Sequence, residues 1–521
     1  MRLNTLSWTV LFGAALSAGA QVSTNGPARP MSLNDCIRMA LERNLSIQIG
    51  DNVSLGSTAD LDVRSGGRLG LEDARLQLEQ LYGYYDPVFS ARAGQTFDQK
   101  SGGIDAATGL VTDGDAQWTE DFRVGIQGVL PSGTRYELLG TMNRLSGGTH
   151  LESVFVVNDP WQYRSQLGVS VTQPLLRDFW IDRDRLNIKL AKKTIKRSEL
   201  SFRLLVMNVL QKVAAAYYDV LAARQQIKVQ EKALELAQQL VTENKKKVEV
   251  GTLAPLDERQ AESQAAKAKS DLTAAIFDAQ TAENTLKGLI THEYSGVQPV
   301  SIEPTEKLVA VFQAFSLAES WRTGLEQRPD YLLAKQDLEN REISLQYRRN
   351  QLFPALDLVA TYARNGLGST TSDSLETIDD NRFPRYSGAV VLTFPLTFKA
   401  ERNAYKSAKL AKQVAILSLK RVEDSVLVDI DTAIKQVKST YDATESSRQA
   451  RIYAEEALSA EQKKLENGKS TSFQVLQFQR DLTDASSKEI KALSDYNKAL
   501  HNLYFREGTT LERNKVTLEL K

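Results

Sequence analysis

Catalysis and metal binding need a few residue types at fixed spacings, so the inventory of such residues comes first. His150, His292 and His501 are the histidines of this 521-residue chain and Cys36 its one cysteine. No two of the four stand at the short separations by which histidine and cysteine share a metal ion. A single cysteine closes no intrachain disulfide, and Cys36 reads as a small buried apolar residue. The sequence holds no glycine-rich phosphate loop, no HExxH, no GxSxG and no paired-cysteine motif. The expectation is a protein that is not an enzyme, with no cofactor and no metal. Lys plus Arg equals Asp plus Glu at 65 each, a formal net charge of zero. That balance gives no bulk electrostatic footprint for nucleic acid.

With little chemistry to position, the elements themselves carry the reading. Residues 1–20 divide into a short region with Arg2, an apolar run from Leu6 to Leu16, and Ala18-Gly19-Ala20. This is the pattern of a secretory signal peptide cleaved after Ala20. No later segment is expected to supply the ~20 uncharged apolar residues of a spanning helix, so any membrane entry should be by strands.

The chain repeats itself. Ser32-Leu33 opens a short helix over Asp35 to Asn44, and Ser316-Leu317 opens one over Glu319 to Arg328, each with serine as the expected cap. Pro87 and Pro354 stand where alternating patterns begin, and Pro174 and Pro395 where they end. Proline lacks a ladder donor and is tolerated at strand ends, so these four mark strand–helix junctions. After each exit comes a proline-free stretch, from about Asp182 to Glu249 and from about Ala400 to Asn467. At ~1.5 Å per residue, each would run roughly 100 Å as one helix. Phe202, Val206, Val209, Val213, Ala216 and Val220 alternate steps of four and three. Ala261 through Leu289 continues the pattern, and Leu427, Ile430, Ile434, Val437 and Tyr441 repeat it. A heptad seam of this kind implies left-handed supercoiling against neighbouring helices. Gly251 and Gly468 close tight turns between the long helices of each half, with Thr252 and Lys469 following them.

Between the prolines the period changes to two. Phe122, Val124 and Ile126 share one face of a strand, as do Leu167, Val169 and Val171, with polar residues between them. Strands are expected near 88–97, 119–129, 134–143 and 164–173 in the first half, and near 355–364 and 386–394 in the second. Trp118, Trp161, Tyr163, Tyr362, Phe383 and Tyr386 lie near strand ends, where interfacial aromatic girdles form. Six strands cannot close a barrel alone, and lipid tolerates no open edge, so the strands must close between chains.

The Ser-Leu openings, Arg328-Pro329-Asp330, Leu352-Phe353-Pro354-Ala355-Leu356, Gln173-Pro174-Leu175-Leu176 and Val250-Gly251-Thr252 together resemble the TolC family of outer-membrane efflux proteins, the outer membrane factors. The resemblance covers nearly everything after residue 20. It implies a mainly α fold with a β-barrel membrane part: duplicated long-helix hairpins forming a trimeric α-barrel tunnel, plus a shared transmembrane β-barrel. It divides the chain into a signal peptide (1–20), a first repeat (21–300), a connecting segment (301–315), a second repeat (316–512) and a tail (513–521). It implies a homotrimer in the outer membrane of a Gram-negative bacterium, contacting outer-membrane lipid and extending into the periplasm. Its implied partners are a periplasmic adaptor and an inner-membrane pump, docked at the tips around Gly251, Thr252, Gly468 and Lys469. The function so implied is the exit duct of a tripartite efflux or type I secretion system. A periplasmic coiled-coil adaptor or scaffold without a pore is the alternative, and the paired strand regions speak against it.

The chain also departs from the family pattern. Relatives often contribute four strands, and the hairpin around Leu130-Pro131-Ser132-Gly133-Thr134 suggests two more. Residues 50–70, with Gly56, Gly66, Gly67 and Gly70, interrupt the second helix. Where relatives carry aspartates that constrict the tunnel, Gln474 and Gln477 stand here. Asp257 is kept, with Lys469 the nearby candidate for its cationic partner. A periplasmic gate of Asp257, Lys469, Gln474 and Gln477 is therefore expected to be weaker or differently wired.

Overall fold

A computed structural model describes residues 28–52, 64–146, 162–251 and 253–518. The expected signal peptide, His150, Trp161, Thr252 and the centre of the 50–70 interruption, with Gly56, lie outside the described residues. The chain runs β1 (Ala28–Met31), α1 (Leu33–Arg43), α2 (Leu45–Ile49), β2 (Gly50–Asn52), β3 (Arg64–Gly66), α3 (Arg68–Tyr82), β4 (Val88–Ile104), β5 (Val111–Val129), β6 (Arg135–Ser146) and β7 (Gln162–Pro174). It continues with α4 (Arg183–Glu249), α5 (Pro255–Ile290), α6 (Tyr294–Val297), β8 (Ser301–Pro304), α7 (Leu317–Gln327), α8 (Pro329–Asn350), β9 (Ala355–Gly368) and α9 (Thr371–Asp379). β10 (Phe383–Thr393), α10 (Lys399–Glu466), α11 (Ser472–Glu507) and α12 (Thr510–Arg513) complete it.

Two compact units form, and each draws on both sequence repeats. One comprises the described part of Met1–Asn44 with Lys212–Phe312 and Lys438–His501. The other comprises Leu45–Gln211, Gln313–Val437 and Asn502–Lys521, again as far as described. The first is helical apart from a short parallel pairing of β1 with β8. Tyr217 donates its hydroxyl to the Met31 carbonyl at 3.2 Å, tying α4 to that pair. Cys36 on α1 is fully buried, and burial pushes its thiol up to about 12. The second unit holds the sheet. It also contains β2 and β3, an antiparallel ribbon where the sequence is rich in glycine. Gly67 follows that ribbon, where a Cβ would lie 2.5 Å from the Ile47 carbonyl oxygen.

Two expectations need correction. Ser32 caps α1 through a full capping box with Asp35, but Ser316 heads α7 with no side-chain cap bond. The deepest stripe of α10 is Val422, Val426, Ile430, Ala433 and Val437, while Leu427, Ile434 and Tyr441 are only half-buried. A helix with neighbours on two sides buries more than one seam, and a single heptad register therefore picks out the wrong edge of the stripe. α4 does contain an 18-residue window of mean hydropathy 1.2, but its apolar stretch is interrupted by Arg203, Lys212 and Asp219 and is not the uncharged run that a spanning helix needs. Two-thirds of that window is buried within the protein, the signature of a packed core helix, at 67%.

Candidate functional site

The second unit presents a six-stranded antiparallel sheet in the order β10-β9-β7-β6-β5-β4. Its hairpins are built locally. Leu130 donates to the Thr134 carbonyl and Gly133 to the Leu130 carbonyl, both at 2.8 Å, with Gly133 at φ +83°. Only a residue without Cβ takes that conformation cheaply. β9 joins β7 because Pro174 leads out of the sheet beside Pro354, with Leu175 donating to the Leu356 carbonyl at 2.7 Å. Pro87 and Pro354 immediately precede β4 and β9, Pro174 ends β7, and Pro395 lies just past β10.

The register sorts the side chains into two opposed faces. Directly paired residues Phe89, Ile126, Leu138, Val169, Tyr362 and Tyr386 form one row across all six strands. Side chains at paired positions point to the same side. Ala91, Val124, Gly140 and Leu167 form the next row on that side, which ends on Arg364 and Pro384, and Ala93, Phe122 and Met142 the one after it, which continues to Ser165 and Gly366. The opposite side carries Arg92, Arg123, Thr141, Gln166 and Asn365 in one row and Gln127, Glu137, Ser170 and Thr361 in another. One face is mainly apolar, broken by Arg364, Ser165 and the row of Gln95, Glu120 and Arg144, and the other is mainly hydrogen-bonding. Phe97 and Trp118 pack at 4.7 Å and Tyr362 and Tyr386 at 5.1 Å on the apolar side. Phe383 falls on the polar side, opposite Asn365, and so does not belong with the other expected girdle aromatics.

β4 and β5 run 17 and 19 residues, well past the ~10 that a membrane strand needs. Both outer strands of the sheet are open, and every residue of β10 is exposed. α9, in the β9–β10 connection, packs on the apolar side, where Ser165 bonds the Ser374 carbonyl at 3.0 Å. Gly366 and Gly368 leave the room that this approach requires. The connection therefore lies against the sheet's apolar wall, away from its polar one.

In the first unit, α4 meets α5 at Gly251 (φ +76°) and α10 meets α11 at Gly468 (φ +71°). The second turn is a Schellman motif: Lys469 donates to the Lys464 carbonyl at 2.8 Å and Gly468 to that of Leu465 at 3.1 Å. Asn244, fully buried, sits at the centre of this end. It donates to the Asp257 carbonyl at 3.2 Å and accepts from the Ser472 hydroxyl at 3.0 Å, stitching α4 to α5 and α11. Leu240, Leu458, Val475 and Leu476 pack just above it. Nothing in the pattern around Asn244 sets it apart from other polar helix residues in the sequence.

Among the described residues no ion pair joins Asp257 to Lys469, and Lys469, Gln474 and Gln477 are exposed. Ser470 bonds Glu461 at 2.5 Å and Gln474 at 3.0 Å instead. The hydrogen bonds from Lys464 at 2.8 Å and from Ser470 hold the Glu461 carboxyl below its ordinary value. Gln477 donates to Asp481 at 3.1 Å. Asp481 and Asp484 line a cavity of about 370 Å³ with Asp271, Lys267 and Arg480. Carboxylates are thus present one and two turns beyond the expected glutamines.

Arg328 and Asp330, each 3% exposed, make a bidentate pair at 2.6 and 3.0 Å within the second unit. Asp429 on α10 accepts from Arg328 at 3.3 Å and from Arg506 on α11 at 3.0 Å. Ser320 bonds Glu507 at 2.6 Å, and the Trp321 indole donates to the Leu427 carbonyl at 3.1 Å. Four helices are locked together here by polar groups around Ile430, against which Gly324 packs closely.

Comparison with known proteins agrees with this arrangement. The outer membrane efflux protein family model matches residues 141–292 and 322–509. The outer membrane protein TolC of Vibrio cholerae is 24% identical over 360 residues, 67% of this chain and 77% of its own. The pyoverdine export outer membrane protein OpmQ of Pseudomonas aeruginosa is 24% identical over 322 residues, 60% of this chain and 64% of its own. Among solved structures, the CmeC outer membrane channel of Campylobacter jejuni aligns with a TM-score of 0.62 at 15% identity, covering 97% of this chain and 91% of that one. The OprN outer-membrane channel aligns with a TM-score of 0.63 at 15% identity, covering 96% and 98%. With its long helices and two-faced sheet, the chain is an outer-membrane protein and belongs to the outer membrane efflux protein family.

Proposed function

We propose that three copies of this chain form a passive exit duct from the periplasm to the cell exterior. The observation that carries this reading is the sheet: six strands, one face mainly apolar, one face mainly polar, both edges open. Embedded in lipid as a single chain, those edges would leave backbone donors and acceptors unsatisfied, at several kcal/mol each. Three sheets of six strands close eighteen, a number that leaves a water-filled lumen. The apolar row from Phe89 to Tyr386 then faces lipid and the Arg92–Asn365 row faces water. Beyond the barrel the paired long helices line a tunnel. The turns at Gly251, Thr252, Gly468 and Lys469 offer its end to a periplasmic adaptor and, through it, to an inner-membrane pump. The family is one of efflux proteins, and transport rather than catalysis is the role proposed.

At the tunnel's closed end the proposed gate comprises Asp257, Lys469, Gln474 and Gln477, with the charge supplied deeper, by Asp481 and Asp484. The test is native mass after detergent extraction from outer membranes, followed by single-channel conductance. A heat-labile trimer that conducts is expected. A monomer, or a trimer without conductance, would refute the duct.

A further inference from the structure

Within the sheet-bearing unit, the helix ends nearest the strands are strongly basic in a chain of zero net charge. Arg183–Arg203 carries eight Lys or Arg against two acidic residues, Arg341–Arg349 three against one, and Lys399–Lys412 five against one. Two ion pairs hold these helix ends side by side: Lys193 with Glu339, just before the second segment, at 2.6 Å and Lys412 with Glu342 at 2.9 Å. Only Glu342 of the carboxylates counted is used in them. Lys189, Lys196, Arg197, Arg349, Arg402 and Lys406 are exposed, and none of the six forms an ion pair among the described residues.

Between this basic zone and the strands lies an exposed apolar one. Trp180 is 77% exposed and Leu396 91%, an expensive display unless something apolar covers it. Two clefts join the zones. One of about 290 Å³ sets Trp180 and Phe353 beside Lys189 and Arg349. The other, about 520 Å³, sets Phe394 and Phe398 beside Arg402. Hydrocarbon sheet, aromatic rim and cationic collar follow one another in the order acyl chain, glycerol, phosphate.

We infer that this collar binds the headgroups of anionic phospholipids in the leaflet that faces the helices, the aromatic clefts taking the glycerol and first acyl carbons. The inference rests on the barrel reading above. Lysine and arginine suit it because their stems lie along apolar surface while their heads reach phosphate.

The experiment reconstitutes the full-length protein in nanodiscs containing equal phosphatidylglycerol and phosphatidylcholine, then counts the lipids retained by native mass spectrometry. The wild type should retain phosphatidylglycerol preferentially, and less so as salt rises. Combining Lys189→Gln, Lys196→Gln, Arg197→Gln and Arg349→Gln should cut that preference roughly fivefold or more. The control, Lys228→Gln, Lys245→Gln, Lys246→Gln and Lys463→Gln in the other unit, should keep it. Insertion without lipid preference, or a preference that survives in the collar variant, overturns the collar alone. Failure of the wild type to insert removes the barrel reading and the collar with it.

Discussion

At the scale of single residues, buried polar groups decide how much of this protein can be changed. Arg328 satisfies Asp330 twice and shares Asp429 with Arg506. Arg328→Met removes one partner and strands the buried Asp330 carboxylate, which should cost about 3–5 kcal/mol and appear as a large fall in thermal midpoint. A midpoint within 2–3 °C of wild type would show that the cluster is not a structural lock. His501 faces Tyr218 at 5.5 Å, and burial lowers its pKa to about 4, against an ordinary 6.5. The unfolded chain therefore binds the proton more readily, and this contribution to stability is full above pH 6.5 and lost as pH falls toward 4. His501→Phe should flatten the acid limb, sparing about 2 kcal/mol between pH 7 and pH 5 in paired melting curves. The gate is also a residue-scale question. Gln474→Asp should raise cation selectivity in bilayer recordings, and Asp481→Asn should lower it. If both leave the reversal potential unmoved, the charge filter lies elsewhere. The sequence exposed Gln474 and Gln477 only through resemblance, whereas Asp481 and Asp484 emerged from the cavity they share with Asp271.

At the scale of elements, period was the readable signal and depth was not. The alternation of Phe122, Val124 and Ile126 marks a strand in any register, and β5 is where they lie. Strand length was less legible, since β4 and β5 continue through polar Asp, Gln and Thr positions whose pairing no apolar alternation announces. The α10 stripe failed for a related reason: helices packed on several sides show more than one acceptable seam. Facing in the sheet follows from parity, so neighbouring residues make the sharpest test. Leu167 lies on the apolar face and Gln166 on the polar one. Leu167→Arg should cost about 2–4 kcal/mol in the bilayer and reduce assembled protein in outer-membrane fractions, while Gln166→Arg should be tolerated. Equal effects would mean that the faces are assigned wrongly.

At the scale of the whole molecule, the sequence showed that something must close the sheet but not how, because a single chain never records its neighbour's register. The two open edges are β10 and β4, at opposite ends of one strand order, so a ring of copies must join β10 of one to β4 of the next. The faces must also run continuously across that seam, or apolar rows would turn into the lumen. Val390 shares the apolar face through Leu358 and Gln173, and Phe89, Ala91 and Ala93 share it on β4. Cys36 is buried and should not interfere. Val390→Cys combined with Phe89→Cys, Ala91→Cys or Ala93→Cys should therefore give a disulfide-linked oligomer on non-reducing gels for at least one pairing, because same-face neighbours across a strand pair bring Cβ atoms within about 5.5 Å. Pairing Val390→Cys with Ser90→Cys or Arg92→Cys puts the thiols on opposite faces and should give none. Crosslinking of the second set alone would invert the barrel, and crosslinking of neither would show that Val390 does not oppose the Phe89–Ala93 stretch across the seam.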